Sequence, residues 1–388
     1  MKIKNIEVIA TSYVKPEPKL MRSFALVRVV ADNGEFGFGE ASDSYGHSHP
    51  ALVKFMVENY IKKILVNEEV IPVQRLIQKI DRYTQMYFGT DAVITQVLSG
   101  IEIALWDLAG KSLEKPVYQL LGGSDREIGL YGTGCTNFGA SYDWHVKFFD
   151  PIKKAGVNAF KVRIGKEPAW DVGLVRHARE SFGDSAMLMV DAYMSYSLET
   201  ALRVAQKISP YDVYFMEEPL LPYDVEGYSY LTARSSVPVA AGEHIYRLSG
   251  FSLLVKHGGL RIIQPDATIC GGLGESTRIS SMAEIYNGSV IPHIGGLSAI
   301  GVAANLHLAT SIKNCSMMEF DADPYQPMKD EILVDPVFEF DSIKGGTIRA
   351  KGGPGLGIEI REDALSKYPY REGELYPDIY PQLGSGNV

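Results

Sequence analysis

The 388-residue chain is 46% hydrophobic and 22% charged, with a formal charge of −9 and a mean hydropathy of −0.03. This is the balance of a soluble globular protein with one large core and a smaller domain. The acidic charge, without a basic block, argues against a nucleic-acid or anionic-membrane partner, so an anionic substrate needs local cations or a metal.

Cys135, Cys270 and Cys315 form no CxxC pair and leave an odd thiol, which fits a reducing compartment. MKIKNIEVIATSYV lacks the pattern of a cleavable leader, and no uninterrupted apolar stretch reaches about 18 residues. The expectation is a cytoplasmic protein with no membrane span.

In chain order, IKNIEVIATSYV, FALVRVVA and EFGFGEAS read as strands, and the DNG between the last two is a hairpin signal. PALVKFMVENYIKKIL and VITQVLSGIEIALWDLAGKSL then show apolar residues at steps of three and four, with LGG as a stop. Residues 1–125 are therefore expected to form an α+β domain.

From 126 to 335, eight short apolar runs alternate with amphipathic segments: GLYGTG, FKVRI, MLMVD, VYFME, VPVAAGE, RIIQPD, SVIPH and SMMEF. Eight such runs joined by helices fit a (β/α)₈ barrel, whose active site lies at the C-terminal strand ends. Residues 336–388 return to Gly-, Pro- and Tyr-rich strands and turns, expected to pack back on the first domain. The aromatic-rich YPYREGELYPDIYPQL points to an interface, and a homo-oligomer is expected.

The last polar residues of seven runs are Lys161 with Arg163, Asp191, Glu217, Glu243, Asp266, His293 and Glu319. From position 191 onward the steps are 26, 26, 23, 27 and 26 residues, about one barrel repeat each. An acidic residue after an apolar run is, taken singly, more often a helix cap or an ion-pair partner. Three at one rim, Asp191, Glu217 and Glu243, are a set of hard oxygen donors suited to Mg²⁺.

SGIEIALWDLAGK, LLGG, KVR, VDAY, MEEP, GEH, QPD, PH and PGLGIEI, in that order and spacing, resemble the enolase superfamily, in particular its mandelate racemase subgroup and the acid-sugar dehydratases within it. The match runs over nearly the whole chain. It implies an α/β fold: a modified (β/α)₈ TIM barrel with an N-terminal α+β capping domain completed by the C-terminal tail. It implies metal ligation by Asp191, Glu217 and Glu243, a His293–Asp266 dyad, and a place for Glu319 near the substrate carboxylate. The first glutamate of MEEP matches the ligand, which favours Glu217 over Glu218.

In racemases of this subgroup a KxK pair supplies a second base, and here the second position is Arg163. A guanidinium is a poor proton acceptor at neutral pH, so two-base racemisation is disfavoured and Arg163 is cast as a clamp. Lys161, or a protonated Glu319, would face the carboxylate oxygen that the metal does not hold. His293, oriented by Asp266, becomes the base, and either returns its proton to the leaving hydroxyl, the favoured route, or leaves that donation to a second group such as Tyr193.

The reading is Mg²⁺-dependent dehydration of a small anionic sugar acid, a C5 or C6 aldonate of the rhamnonate, gluconate, arabinonate or fuconate type, to a 2-keto-3-deoxy acid. VDAYMSY, EEPLLPYDVEGY and GEHIY look most like rhamnonate dehydratases. Tyr45, His47 and His49 in DSYGHSHP, with Tyr83 and Tyr87 in DRYTQMYFGT, are expected as loop groups for substrate hydroxyls. The rivals are a racemase or epimerase of a 2-hydroxy acid and an inactive carboxylate-binding or assembly protein.

Overall fold

Alternating apolar residues and the Asp32-Asn33-Gly34 turn produce a three-stranded antiparallel sheet of β1 (Ile3–Lys15), β2 (Leu20–Ala31) and β3 (Phe36–Ala41). The computed structural model describes residues 1–16, 20–43, 48–134 and 137–371. One face of the sheet carries the helix Val93–Ser112, buried through almost its whole length. The approach is close because Gly39 has no side chain: a Cβ there would lie 1.9 Å from the Gly100 carbonyl oxygen. Val27, Val29, Ile61, Leu65, Ile80, Ile101 and Leu105 form the core of this domain.

The helix Val93–Ser112 is long and apolar enough to cross a membrane, but 89% of its most apolar stretch is buried inside the protein. PALVKFMVENYIKKIL folds as one helical run, from Pro50 to Leu65, with a wide turn over Val57–Ile61 that is closed by the Lys62 amide on the Val57 carbonyl.

Eight parallel strands follow: β4 (Glu127–Thr133), β5 (Ala159–Arg163), β6 (Met187–Asp191), β7 (Val213–Glu217), β8 (Val239–Ala241), β9 (Ile262–Ile263), β10 (Ser289–Val290) and β11 (Met317–Asp321). Each pairs with its predecessor up to β10, and β11 pairs in parallel with β4. The remaining gap is bridged by Val290 N to Asn314 O at 2.9 Å and Glu319 N to Pro292 O at 3.3 Å. The sheet is therefore a closed barrel wrapped by helices. A short β12 (Thr347–Arg349) adds antiparallel to β4.

Acidic side chains of the first domain fasten it to the barrel. Glu102 accepts from Leu273 N (2.7 Å) and Gly274 N (2.8 Å), at the start of the helix Leu273–Ile285. Glu40 accepts from Gly301 N (2.9 Å) and Ser298 N (3.2 Å), at the start of the helix Ala299–Ser311. Both carboxylates thus meet amides left without partners at a helix N-terminus. Asp107 ties Phe38 N and Leu356 N, each at 2.8 Å. The chain end returns to β1, where Ser12 N donates to Tyr368 O at 3.1 Å and Arg371 N to Ser12 Oγ at 2.9 Å.

Candidate active site

The twofold alternation of a strand sorts the barrel residues into two sets. On β5, Phe160 and Val162 pack outward under the helices while Lys161 turns inward; on β6, Leu188 and Val190 face out while Met189 and Asp191 face in. Tyr131, Met189, Phe215, Ala240 and Ile291 plug the interior. A polar layer lies above them. Register sets its neighbours, with Arg163 opposite Asp191 and Asp191 opposite Glu217.

Glu243 lies just beyond β8 and joins the layer through Gly242, whose φ of 149° and tight packing exclude a side chain. A Cβ there would approach Gln264 N and the Phe251 ring to 2.8 Å each.

Lys161 Nζ sits 2.6 and 2.7 Å from the two oxygens of Glu217, 2.7 Å from Glu319 Oε1 and 3.7 Å from Asp191 Oδ2. Arg163 reaches Asp191 Oδ2 at 2.5 Å, and its guanidinium lies 5.2 Å from the centre of the Tyr193 ring. Opposite them, His293 Nδ1 is 3.1 Å from Asp266 Oδ2, which leaves Nε2 facing Glu243 Oε2 at 2.8 Å and Glu319 Oε2 at 3.6 Å.

Burial is the largest influence on Lys161, Asp191, Glu217, Glu243, His293 and Glu319. It holds the carboxyls of Asp191 and Glu217 above the usual carboxylate range against the pull of Arg163 and Lys161, and neighbouring carboxylates add to the rise. Burial would also raise Glu243, but His293 and His244 hold it well below that range. Burial alone would lower Lys161 and His293, yet the facing carboxylates push both upward. Four carboxylates, Asp191, Glu217, Glu243 and Glu319, crowded out of water call for positive charge.

One oxygen from each of Asp191, Glu217 and Glu243 lies within 4.8 Å of the others. An octahedral Mg²⁺ with bonds of about 2.1 Å spans oxygens roughly 3 to 4 Å apart, so a small inward movement of these side chains would close on such a cation. The donors are all hard oxygens, and the residues fit the ion.

Of the two candidate donors, Lys161 and Glu319, the second stands here as an acceptor. Its Oε1 accepts from Lys161 and its Oε2 from Ile294 N at 2.8 Å. Burial would raise its carboxyl, but Lys161 and His293 keep it below the ordinary value. In this arrangement Lys161, not Glu319, is the proton-rich group.

Lys161, Arg163, Asp191, Tyr193, Glu217, Glu243, Asp266, His293 and Glu319 all meet at one end of the barrel. The proposed loop residues do not share that burial. Tyr83 and Tyr87 lie on a helix, Val73–Phe88, whose inward face is Val73, Leu76, Ile80 and Thr84. They stand exposed with ring centres 5.0 Å apart, outside the buried cluster. His49 is 41% exposed and 3.7 Å from Asp43 Oδ2. Tyr45 and His47 lie outside the described residues, as does the part of the aromatic tail from 372 onward.

The site also contains residues outside the expected set. Gln264 donates to Glu217 Oε2; its position two residues before Asp266 was the available signal. Glu218, in the left-handed region at φ 35°, turns from the trio and binds His244 Nδ1 at 2.6 Å. Burial would lower His244, but Glu218 and Glu243 raise it to about 9. Lys15 extends from the capping sheet to Asp323 just beyond β11, and Arg22 to Asp321 at the end of that strand.

Comparison with known proteins agrees with this architecture. Residues 17–122 match the mandelate racemase/muconate lactonizing enzyme N-terminal domain, and residues 148–364 match the enolase C-terminal domain-like family. The arabinonate dehydratase of Saccharolobus solfataricus is 30% identical over 88% of this chain and 89% of its own length. The L-rhamnonate dehydratase of Saccharopolyspora erythraea is 29% identical over 89% and 85%. The crystal structure of an enolase superfamily member from Polaromonas sp. JS666 superposes with a TM-score of 0.89 at 29% identity, covering 97% of this chain and 100% of that one. The chain therefore belongs to the mandelate racemase/muconate lactonizing enzyme family of the enolase superfamily.

Proposed function

We propose that this protein is a Mg²⁺-dependent sugar-acid dehydratase that converts a C5 or C6 aldonate to its 2-keto-3-deoxy acid. The observation that carries the reading is the asymmetry of the pocket. Arg163, a permanent cation bound to Asp191, stands on one side, and the His293–Asp266 pair stands on the other. Among the described residues, the second side alone carries an imidazole, and its Nε2 becomes free to accept a proton once Glu243 serves the metal instead of facing that nitrogen.

Asp191, Glu217 and Glu243 would hold Mg²⁺, which supplies positive charge where the second negative charge of an enediolate develops. Lys161, pushed toward its charged form, donates to the same carboxylate group and limits its rotation. His293 Nε2 takes the proton from C2, and the C2–H electrons move into the carboxylate to form the enediolate. Those electrons return to form a C2–C3 double bond as the C3–OH bond breaks, and His293 returns its proton so that water departs. The resulting enol becomes the ketone by a proton shift from O2 to C3. One base on one face is enough for this sequence, whereas inversion at C2 requires a second.

The test is a panel of C5 and C6 aldonate stereoisomers with Mg²⁺, followed by detection of 2-keto-3-deoxy acids. Turnover of at least one stereoisomer that EDTA abolishes supports the assignment. Exchange of the C2 hydrogen in deuterated water without loss of water would identify a racemase or epimerase instead. No reaction with any stereoisomer would overturn the dehydratase reading.

A further inference from the structure

Asp266 is held by more than the imidazole. Its Oδ1 receives Thr268 N at 2.8 Å, Thr268 Oγ1 at 2.7 Å and Asn305 Nδ2 at 3.0 Å, while Oδ2 faces His293 Nδ1. A carboxyl torsion is broad by itself, so three donors on one oxygen decide which oxygen meets the imidazole and at what angle.

Asn305 stands out among these donors. It is fully buried in the middle of the helix Ala299–Ser311, within the apolar sequence AIGVAANLHLA, where asparagine is a poor helix former. A buried amide is costly unless paired, and this one is paired throughout. Its Oδ1 accepts Ala267 N at 2.9 Å, and its Nδ2 donates to Asp266 and, at 3.2 Å, to Gly301 O. The two ends cannot be exchanged, because a backbone N–H must meet the oxygen and a carboxylate must meet the NH₂. The start of the same helix is fastened by Glu40 of the capping sheet through Ser298 and Gly301.

We propose that Asn305 is a positioning residue for the His293–Asp266 base. Its amide locks the Asp266 carboxylate so that the imidazole is aimed with Nε2 toward the substrate side. The kinetic arm of the test rests on the dehydratase reading, while the spectroscopic arm does not.

Asn305→Ala is expected to lower kcat by about 10- to 100-fold, the usual scale for losing the support of an oriented imidazole. KM and Mg²⁺ affinity should stay within about threefold. Asn305→Asp keeps the shape and the acceptor for Ala267 but sets a carboxylate against Asp266, so it is expected to be slower than Asn305→Ala despite being isosteric. In both variants the hydrogen-bonded Nδ1–H proton resonance of His293, assigned by its loss in His293→Asn, should shift or broaden, and this requires no turnover.

An unmoved His293 resonance in both folded variants would overturn the proposal. So would a loss confined to KM, or an Asn305→Asp enzyme faster than Asn305→Ala. Absence of turnover in the unmodified protein would strike only the dehydratase reading, and the resonance would still decide the role of Asn305. Should Asn305→Ala not fold, Asn305→Asp carries both measurements.

Discussion

Replacing Lys161 with methionine tests whether the barrel cluster is balanced by charge. The ammonium has contacts at 2.6 and 2.7 Å with Glu217 and at 2.7 Å with Glu319. At an effective dielectric of about 20, a pair near 2.7 Å gains roughly 6 kcal/mol of gross attraction, and withdrawing the ions from water cancels much of it. Removing one member of such a buried cluster leaves uncompensated charge, at a net loss of about 3–5 kcal/mol.

The pH dependence follows from the shifts. Lys161 is raised above its usual 10.5, so its contribution is fully present at neutral pH and fades only in alkali. Asp191 and Glu217 are also raised, and removal of Lys161 raises them further. Carboxyls raised on folding lose stability as pH climbs from their unfolded values near 3.8 and 4.5 through the folded ones.

Urea unfolding in EDTA at about pH 7.5 should therefore show Lys161→Met weaker than the parent by about 3–5 kcal/mol, with the deficit shrinking toward about pH 4.5. Added Mg²⁺ should narrow it by binding the native carboxylates. A deficit below about 1 kcal/mol at pH 7.5, or one that is flat with pH, would refute the charge-balance argument.

His293→Asn should lower kcat by roughly 10²- to 10⁴-fold and abolish solvent exchange at C2; a loss of less than tenfold would move the base elsewhere. Tyr193→Phe keeps the ring beneath Arg163, and kcat should stay within about threefold if His293 serves as both base and acid, whereas a loss of about 100-fold would assign the acid to Tyr193. Burial pushes Glu40 and Glu102 up to about 7 against the donors that hold them. Stability should therefore fall as pH rises from about 4.5 to 7 and level off above, and Glu40→Gln with Glu102→Gln should flatten that slope in thermal melts; an unchanged slope would mean that neither group titrates there.

The barrel was legible because its repeat is chemical as well as geometric. Seven of the eight apolar runs end in one or two polar residues, and strand alternation carries that pattern inward, as Lys161, Asp191, Glu217 and Glu319 show. Tyr83 and Tyr87 lie on a helix where the sequence suggests a loop, because the inward stripe of Val73, Leu76, Ile80 and Thr84 is sparse among polar residues. Gln264 and Asn305 escaped notice because their partners are 47 and 39 residues away, so neither has a local signature.

What local order alone determined was the succession of elements and the candidate residues at the strand ends, since periodicity and spacing act within one repeat. Protonation and aim were decided by tertiary structure. Glu319 is an acceptor because Lys161 and the Ile294 amide converge on it, and Glu218 faces His244 instead of the trio because its backbone is left-handed. The orientation of Asp266 rests on a helix fastened by another domain. These outcomes depend on fields and hydrogen bonds between segments distant in sequence, which exist only once the chain has closed into a barrel.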